Sequence, residues 1–320
     1  MLSPLLPAAL AAGATAATLA RAHLRERAAE AAFPPEGRLV DVGGVPVHVV
    51  TRGTGPDLVL IHGASGNARD WTFAFVDRMA DRYTVHAVDR PGMGHTGRVN
   101  PDYDRPLSSA AETPREQAEL LQGAMAALGV ERPIVCGHSF GGTIALAWAC
   151  YRPGTLSGLV LVGAASNRWE GGLGPLYAVN ASAFGGAAIV PMFAAYASDA
   201  KVAAVTRAIF DPDPVPEGYL AHVGAQLTLR RRSLRANARQ VNGLKPHVIA
   251  MEALYPSLDL PIEWVHGAAD TICPAHIHPE PFTAMVPHAR LTMLPGVGHM
   301  PHHVAPDAVD DAVGRVRDAR

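Results

Sequence analysis

One serine, fenced by glycines at the end of an apolar run, constrains this chain more than any other feature. In "PIVCGHSFGGT" (133–143) the run ends at Gly137-His138-Ser139-Phe140-Gly141, and "FGGTIALAWACYR" (140–152) then reads as a helix that stops before Pro153. A strand that turns this sharply into a helix holds its turn residue in a strained backbone conformation. Residues two positions to either side must then be small, or their Cβ atoms would clash with the chain. G-x-S-x-G is the pattern that geometry requires. It also sets the hydroxyl at a helix N-terminus, where backbone N–H groups favour developing negative charge.

The rest of the body repeats the strand-then-helix rhythm. "RLVDVGGVPVHVVTRG" (38–53) reads as two alternating strands that turn at Gly43-Gly44. "DLVLIHG" (57–63), "YTVHAVDRPGMG" (83–94) and "SGLVLVGAA" (157–165) read as further strands. Helices are expected over 68–80 and from Thr113-Pro114 to about Leu128, with the threonine as N-cap. Residues 166–255 lack a strong strand run and read as helices broken by Gly and Pro. "PIEWVHG" (261–267), a helix near 275–286, "ARLTMLPG" (289–296) and a terminal helix from Pro306 then resume the rhythm. Such alternation predicts an α/β fold. A mostly parallel sheet carries helices on both faces, the first two strands form an antiparallel edge, and residues 166–255 form an inserted helical cap.

The N-terminal region differs. "LSPLLPAALAAGATAATLA" (2–20) carries no charge, and Arg21, Arg25 and Arg27 follow it. The stretch is long enough to span a bilayer, where about 20 residues are needed, yet only five of its 19 positions are leucine. Residues 1–30 are expected to be an apolar membrane anchor. The trailing arginines would then leave the body, residues 38–320, cytoplasmic and membrane-associated. Two other readings stay open: a cleaved secretory signal with the body exported, and a loose alanine-rich helix in water. "AAFPPEGR" (31–38) reads as the linker, with 31–37 outside the folded body.

A serine hydroxyl needs a base to take its proton, and the base must reach the C-terminal edge of the sheet. "LTMLPGVGHMPHH" (291–303) offers His299 in a loop after a late strand, leaving His302 and His303 as surface or supporting histidines. The imidazole needs an acceptor that fixes its tautomer. "WVHGAADTICP" (264–274) places Asp270 in the loop after the preceding strand, whereas Asp259 falls at the opposite end. A histidine base implies a kcat/KM that rises through about pH 6–7.5.

The order Ser139…Asp270…His299 is that of the α/β-hydrolase fold, and the chain from about residue 38 onward resembles serine hydrolases of that family. "HGASGN" (62–67) resembles the family's oxyanion loop, and "DRPGMGHT" (89–96) resembles its D-x-P-G-x-G-x-[ST] loop. The resemblance implies an oxyanion hole built from the backbone N–H groups of Ala64 and Phe140. It also implies that His62 organises its loop and is not a base. Members that act as haloalkane dehalogenases or epoxide hydrolases carry aspartate where Ser139 stands, so neither activity is expected. Ester hydrolysis of a small apolar acyl substrate is the expected reaction. C–C bond hydrolysis, perhydrolysis or a non-catalytic binding role are the alternatives.

Other signals point to no further chemistry. A net charge of −2 gives no field for nucleic acid. "GMGHTG" (92–97) matches a dinucleotide fingerprint in letters, but an irregular loop follows where a helix is needed. "HIHPE" (276–280) and "HMPHH" (299–303) are interrupted by proline, and Cys136, Cys150 and Cys273 lack ligand spacing. No cofactor and no metal are therefore expected. The five arginines of "LRRRSLRANAR" (229–239) read as a solvated helix face.

Overall fold

The computed structural model describes residues 5–105 and 108–319. Eight strands form one sheet in the order β1-β2-β4-β3-β5-β6-β7-β8. They are β1 Arg38–Val42, β2 Val45–Arg52, β3 Asp57–Ile61, β4 Thr84–Val88, β5 Ile134–His138, β6 Gly158–Val162, β7 Ile262–Gly267 and β8 Arg290–Leu294. The first two pair antiparallel, β2 meets β4 antiparallel, and every other neighbour is parallel. Every residue of β5, β6 and β7 is buried, as strands covered on both faces must be.

Apolar clusters lie on both faces. One joins Ile61, Val135 and Leu161 to the helices Pro114–Ala127 and Phe140–Tyr151. The other joins Leu60, Cys136 and Val160 to Trp71, Phe75 and the terminal helix Pro306–Asp318. Pro114–Ala127 starts with a capping box: Thr113 accepts from Glu116 N while Glu116 accepts from Thr113 N. The expected helix over 68–80 is two short helices, Arg69–Thr72 and Phe75–Met79. Between β6 and β7 the chain forms helices only, among them Pro175–Ala181, Val190–Tyr196, Asp199–Phe210, Arg231–Asn242 and Leu244–Glu252.

The N-terminal segment is helical past the end of the expected anchor. Among the described residues no single helix is long and apolar enough to cross a membrane; a cap pair bent by 88°, Pro175–Ala181 with Gly185–Tyr196, reaches the needed length only jointly. Residues Leu5–Ala32 form one helix that runs through the charged stretch and into the expected linker. Its second half docks on the cap. Ala22 is buried against Ala194 and Ala195, and Arg21 Nε and Arg25 Nη1 both donate to Ala195 O. Glu26 accepts from Arg231, and Glu30 pairs with Arg230. The arginines of 229–239 are thus not a solvated face. Arg232 pairs with Asp104, and Arg239 is buried and donates to the carbonyls of Tyr103, Arg105 and Ser108.

Asp89, at the end of β4, ties two loops together. Its carboxylate accepts from Ala68 N at 2.6 Å, His95 N at 2.8 Å and His48 Nδ1 at 2.7 Å. A Cβ on Gly94 would lie 2.0 Å from Asp89 Oδ2, so the glycine of "GMGH" is what lets the loop close on the carboxylate. Burial alone would raise this carboxyl, but the His48 hydrogen bond and charge, with the His95 N–H, bring it down to about 2. The unfolded chain therefore binds more protons between about pH 4 and pH 2, and folding stability contributed by Asp89 is lost as pH falls through that window. The contribution above pH 4 is about 2–3 kcal/mol. Urea midpoints compared near pH 6 and pH 3 should fall less steeply for Asp89→Asn than for the wild type.

Candidate active site

Ser139 lies between β5 and the helix Phe140–Tyr151 at φ 52°, ψ −119°, a region few non-glycine residues occupy. The glycine fence has a direct steric cause. A Cβ on Gly137 would lie 2.3 Å from Gly141 O, and one on Gly141 2.2 Å from Ile61 O. Gly142 closes the turn against Ala164, whose Cβ an added methyl would meet at 2.4 Å. Ser139 N donates to Val162 O at 2.9 Å, anchoring the turn to β6.

Asp270 follows β7, and His299 follows β8. His299 Nδ1 donates to Asp270 Oδ2 at 2.7 Å, and Asp270 Oδ1 accepts from Ile272 N and Cys273 N at 2.8 and 2.9 Å. Burial pushes the Asp270 carboxyl up, but the hydrogen bond and charge of His299, with the Cys273 N–H, leave it below the usual carboxylate range. With Nδ1 donating to the carboxylate, Nε2 keeps its lone pair. Ser139 and His299 line one cavity of about 250 Å³ together with Ala64, Ile209 and Met300. The structure thus brings Ser139, Asp270, His299 and Ala64 to one end of the sheet, with Phe140 at the start of the helix that Ser139 leads. Among the described residues no hydrogen bond joins Ser139 Oγ to His299. The Ala64 and Phe140 N–H groups likewise have no protein acceptor there.

His62 donates from Nδ1 to Gly63 O at 2.8 Å and accepts from Arg90 N at 3.0 Å through Nε2. Burial and the Arg90 charge lower it to about 4, so it stays a neutral brace of its loop, as the family resemblance implies.

Several residues of the site carry no motif in the sequence. His302 and His303 are internal, not surface, groups. Their Nε2 atoms donate to Asp70 at 3.2 and 2.9 Å, and Tyr219 OH donates to the same carboxylate at 2.7 Å. Asp70, His138 and His302 bring metal-type donor atoms within 4.8 Å of one another. His138 Nε2, however, donates to His299 O at 2.9 Å, so this cluster fixes the backbone that carries His299. Cys273 faces Ser139, and burial pushes its thiol well above the ordinary range, so it stays neutral.

The cap also clasps the loop after β3. Asn237, on the helix Arg231–Asn242, accepts from Ser65 N at 2.8 Å and donates to Ser65 Oγ at 2.9 Å, and Thr228 Oγ1 donates to Ser65 O at 2.7 Å. Ser65 itself is held at φ 58°. Nothing in the arginine-rich sequence of this helix singles out Asn237 as the residue that makes the clasp.

Fold and site together define a hydrolase built on a serine-bearing strand–helix turn. A model described as the alpha/beta hydrolase family matches residues 58–312, and the chain belongs to that family. It is 26% identical over 284 residues to an uncharacterized protein of Mycobacterium tuberculosis, covering 83% of this chain and 76% of that one. Over 116 residues it is 34% identical to the pimeloyl-[acyl-carrier protein] methyl ester esterase of Nitrosomonas europaea, covering 36% of this chain and 40% of the relative. The crystal structure of the esterase RhEst1 from Rhodococcus sp. ECU1013 superposes with a TM-score of 0.64 at 22% identity, covering 87% of this chain and 97% of that one.

Asn237→Ala removes the acceptor of the part-buried Ser65 N–H, a loss of about 0.5–1.5 kcal/mol. Chemical denaturation should report that drop, while Asn237→Asp, which keeps the acceptor oxygen, should lose less.

Proposed function

We propose that the protein cleaves a carboxylic ester with an apolar acyl substrate through a covalent acyl-enzyme on Ser139. The observation that carries this reading is the 2.7 Å His299–Asp270 hydrogen bond at the cavity that Ser139 also lines. An Nδ1–H held by a carboxylate leaves Nε2 free to take the serine proton. Ser139 Oγ then attacks the acyl carbon, and His299 passes the proton to the departing alkoxide. Water, deprotonated by His299, releases the acid and restores the serine. The Ser139–His299 hydrogen bond is the contact that substrate binding completes, as catalytic hydrogen bonds often tighten in the Michaelis complex.

The tetrahedral oxyanion is held in this reading by the N–H groups of Ala64 and Phe140, each worth about 2.7–4 kcal/mol of barrier. Their lack of a protein acceptor supports that role. The Nitrosomonas relative is by its name a methyl ester esterase, which is the same class of reaction.

A fluorophosphonate probe should label the wild type and leave Ser139→Ala unlabelled; equal labelling of both would remove Ser139 as nucleophile. Asp270→Asn, which favours the wrong imidazole tautomer, should lower kcat on p-nitrophenyl acetate by about 10³–10⁴. Faster turnover of a vinylogous diketone than of any ester would move the reaction to C–C cleavage on the same residues.

A further inference from the structure

The cap helix Asp199–Phe210 carries Val202, Val205, Thr206 and Ile209 at i, i+3, i+4 and i+7, the spacing of one helical face. Such a stripe ordinarily packs on a core. Here Phe210 is the only buried residue of the helix, and Val205 is 50% exposed. The four residues instead line a second cavity of about 250 Å³, together with Leu176 and Phe193. Val205, Thr206 and Ile209 also line the catalytic cavity, as do Ser65 and Tyr177. The two spaces therefore meet along this stripe. Lys201 is the one charged side chain among the described residues that line the second cavity.

We propose that this second cavity is a channel for an unbranched alkyl chain of the ester, running along the stripe from Ile209 toward Val202. The inference rests on the ester-hydrolase reading above. An apolar helix face left without a protein partner gains its burial from an apolar ligand, because the cost of exposing it to water is removed only when hydrocarbon covers it. From Ile209 to Val202 the stripe extends about 10 Å along the helix axis. That length suits a linear chain better than a compact branched group. A cationic substituent would find no carboxylate among the described residues of these walls, and Lys201 would repel it.

The test uses the full chain with two ester series. One lengthens the acyl group of p-nitrophenyl esters from acetate to dodecanoate. The other lengthens the alcohol of alkyl acetates over the same range. In one of the two series kcat/KM should rise by about two- to fourfold per methylene, then level off once the chain passes Val202. Whichever series rises identifies the side of the ester that enters the channel. Val202→Trp, which plugs the far end, should lower the ratio of long-chain to acetate kcat/KM at least tenfold. Val205→Thr, which keeps the shape and adds a hydroxyl, should lower the same ratio severalfold. Ser139-dependent acetate hydrolysis that is flat across both series, or a ratio unchanged in both variants, overturns the channel and leaves the ester reading standing. No Ser139-dependent hydrolysis in either series overturns both.

Discussion

The site depends on how closely two backbones approach. The turn at Ser139 presses the first residues of its helix against the end of β3, where an added Cβ on Gly141 would sit 2.2 Å from Ile61 O. No side chain can relieve that contact, because the obstacle is a carbonyl in a sheet hydrogen-bonded on both sides. The closeness brings the loop after β3, with Ala64 and Ser65, beside the serine. It also leaves Ser139 at a positive φ, a strain of about 1–3 kcal/mol that the surrounding sheet must hold.

Around that turn the charges are sorted by partner. Asp70, Asp89 and Asp270 are buried, yet each is held below the ordinary carboxylate range by neighbouring imidazoles. His62 and His302 are lowered as well, each to about 4, and His138 falls well below the usual value, chiefly through burial, which for an imidazole favours the neutral form. The consequence is a set of anionic acceptors and neutral donors that needs no solvent. Each carboxylate organises loop N–H groups, imidazoles or both. Asp89 ties the loop after β3 to that after β4, Asp70 holds the two histidines beyond His299, and Asp270 holds His299 itself.

Much of this was legible in the sequence, for a physical reason. Strands buried on both faces must be apolar throughout, so β5, β6 and β7 announce themselves as runs, and a steric requirement for glycine leaves letters behind. The order of Ser139, Asp270 and His299 followed from placing each in a loop at the same end of consecutive parallel strands. What stayed hidden depends on packing between distant segments. Asn237 meets Ser65 across 172 residues, and nothing in its local surroundings marks it. The arginines of 229–239 read as solvated because their partners, Glu26, Glu30, Asp104 and three loop carbonyls, are set by where the N-terminal helix and the 98–112 loop lie. Composition alone does not disclose that the charged second half of that helix has a protein surface to rest on.

Those hidden contacts converge on one element. The helix Arg231–Asn242 receives Glu26 at its first residue, where the carboxylate accepts from both the Arg231 backbone and its guanidinium. A carboxylate there also suits the positive end of the helix. Six residues on, Asn237 grips Ser65, and three further on, Gln240 donates to Pro91 O and Glu112 and accepts from Arg90. Arg90 in turn reaches Gly63 O and lies with its guanidinium 4.4 Å from the Phe140 ring. The N-terminal helix therefore bears on the same rigid rod that holds the loop after β3 and the residue following the nucleophile. Asp199–Phe210 is different: only its last residue is buried, and its apolar face looks into the cavity. The cap is thus two parts with opposite mechanics. A braced rod fixes the backbone around Ser139, and a lightly held helix leaves room above it.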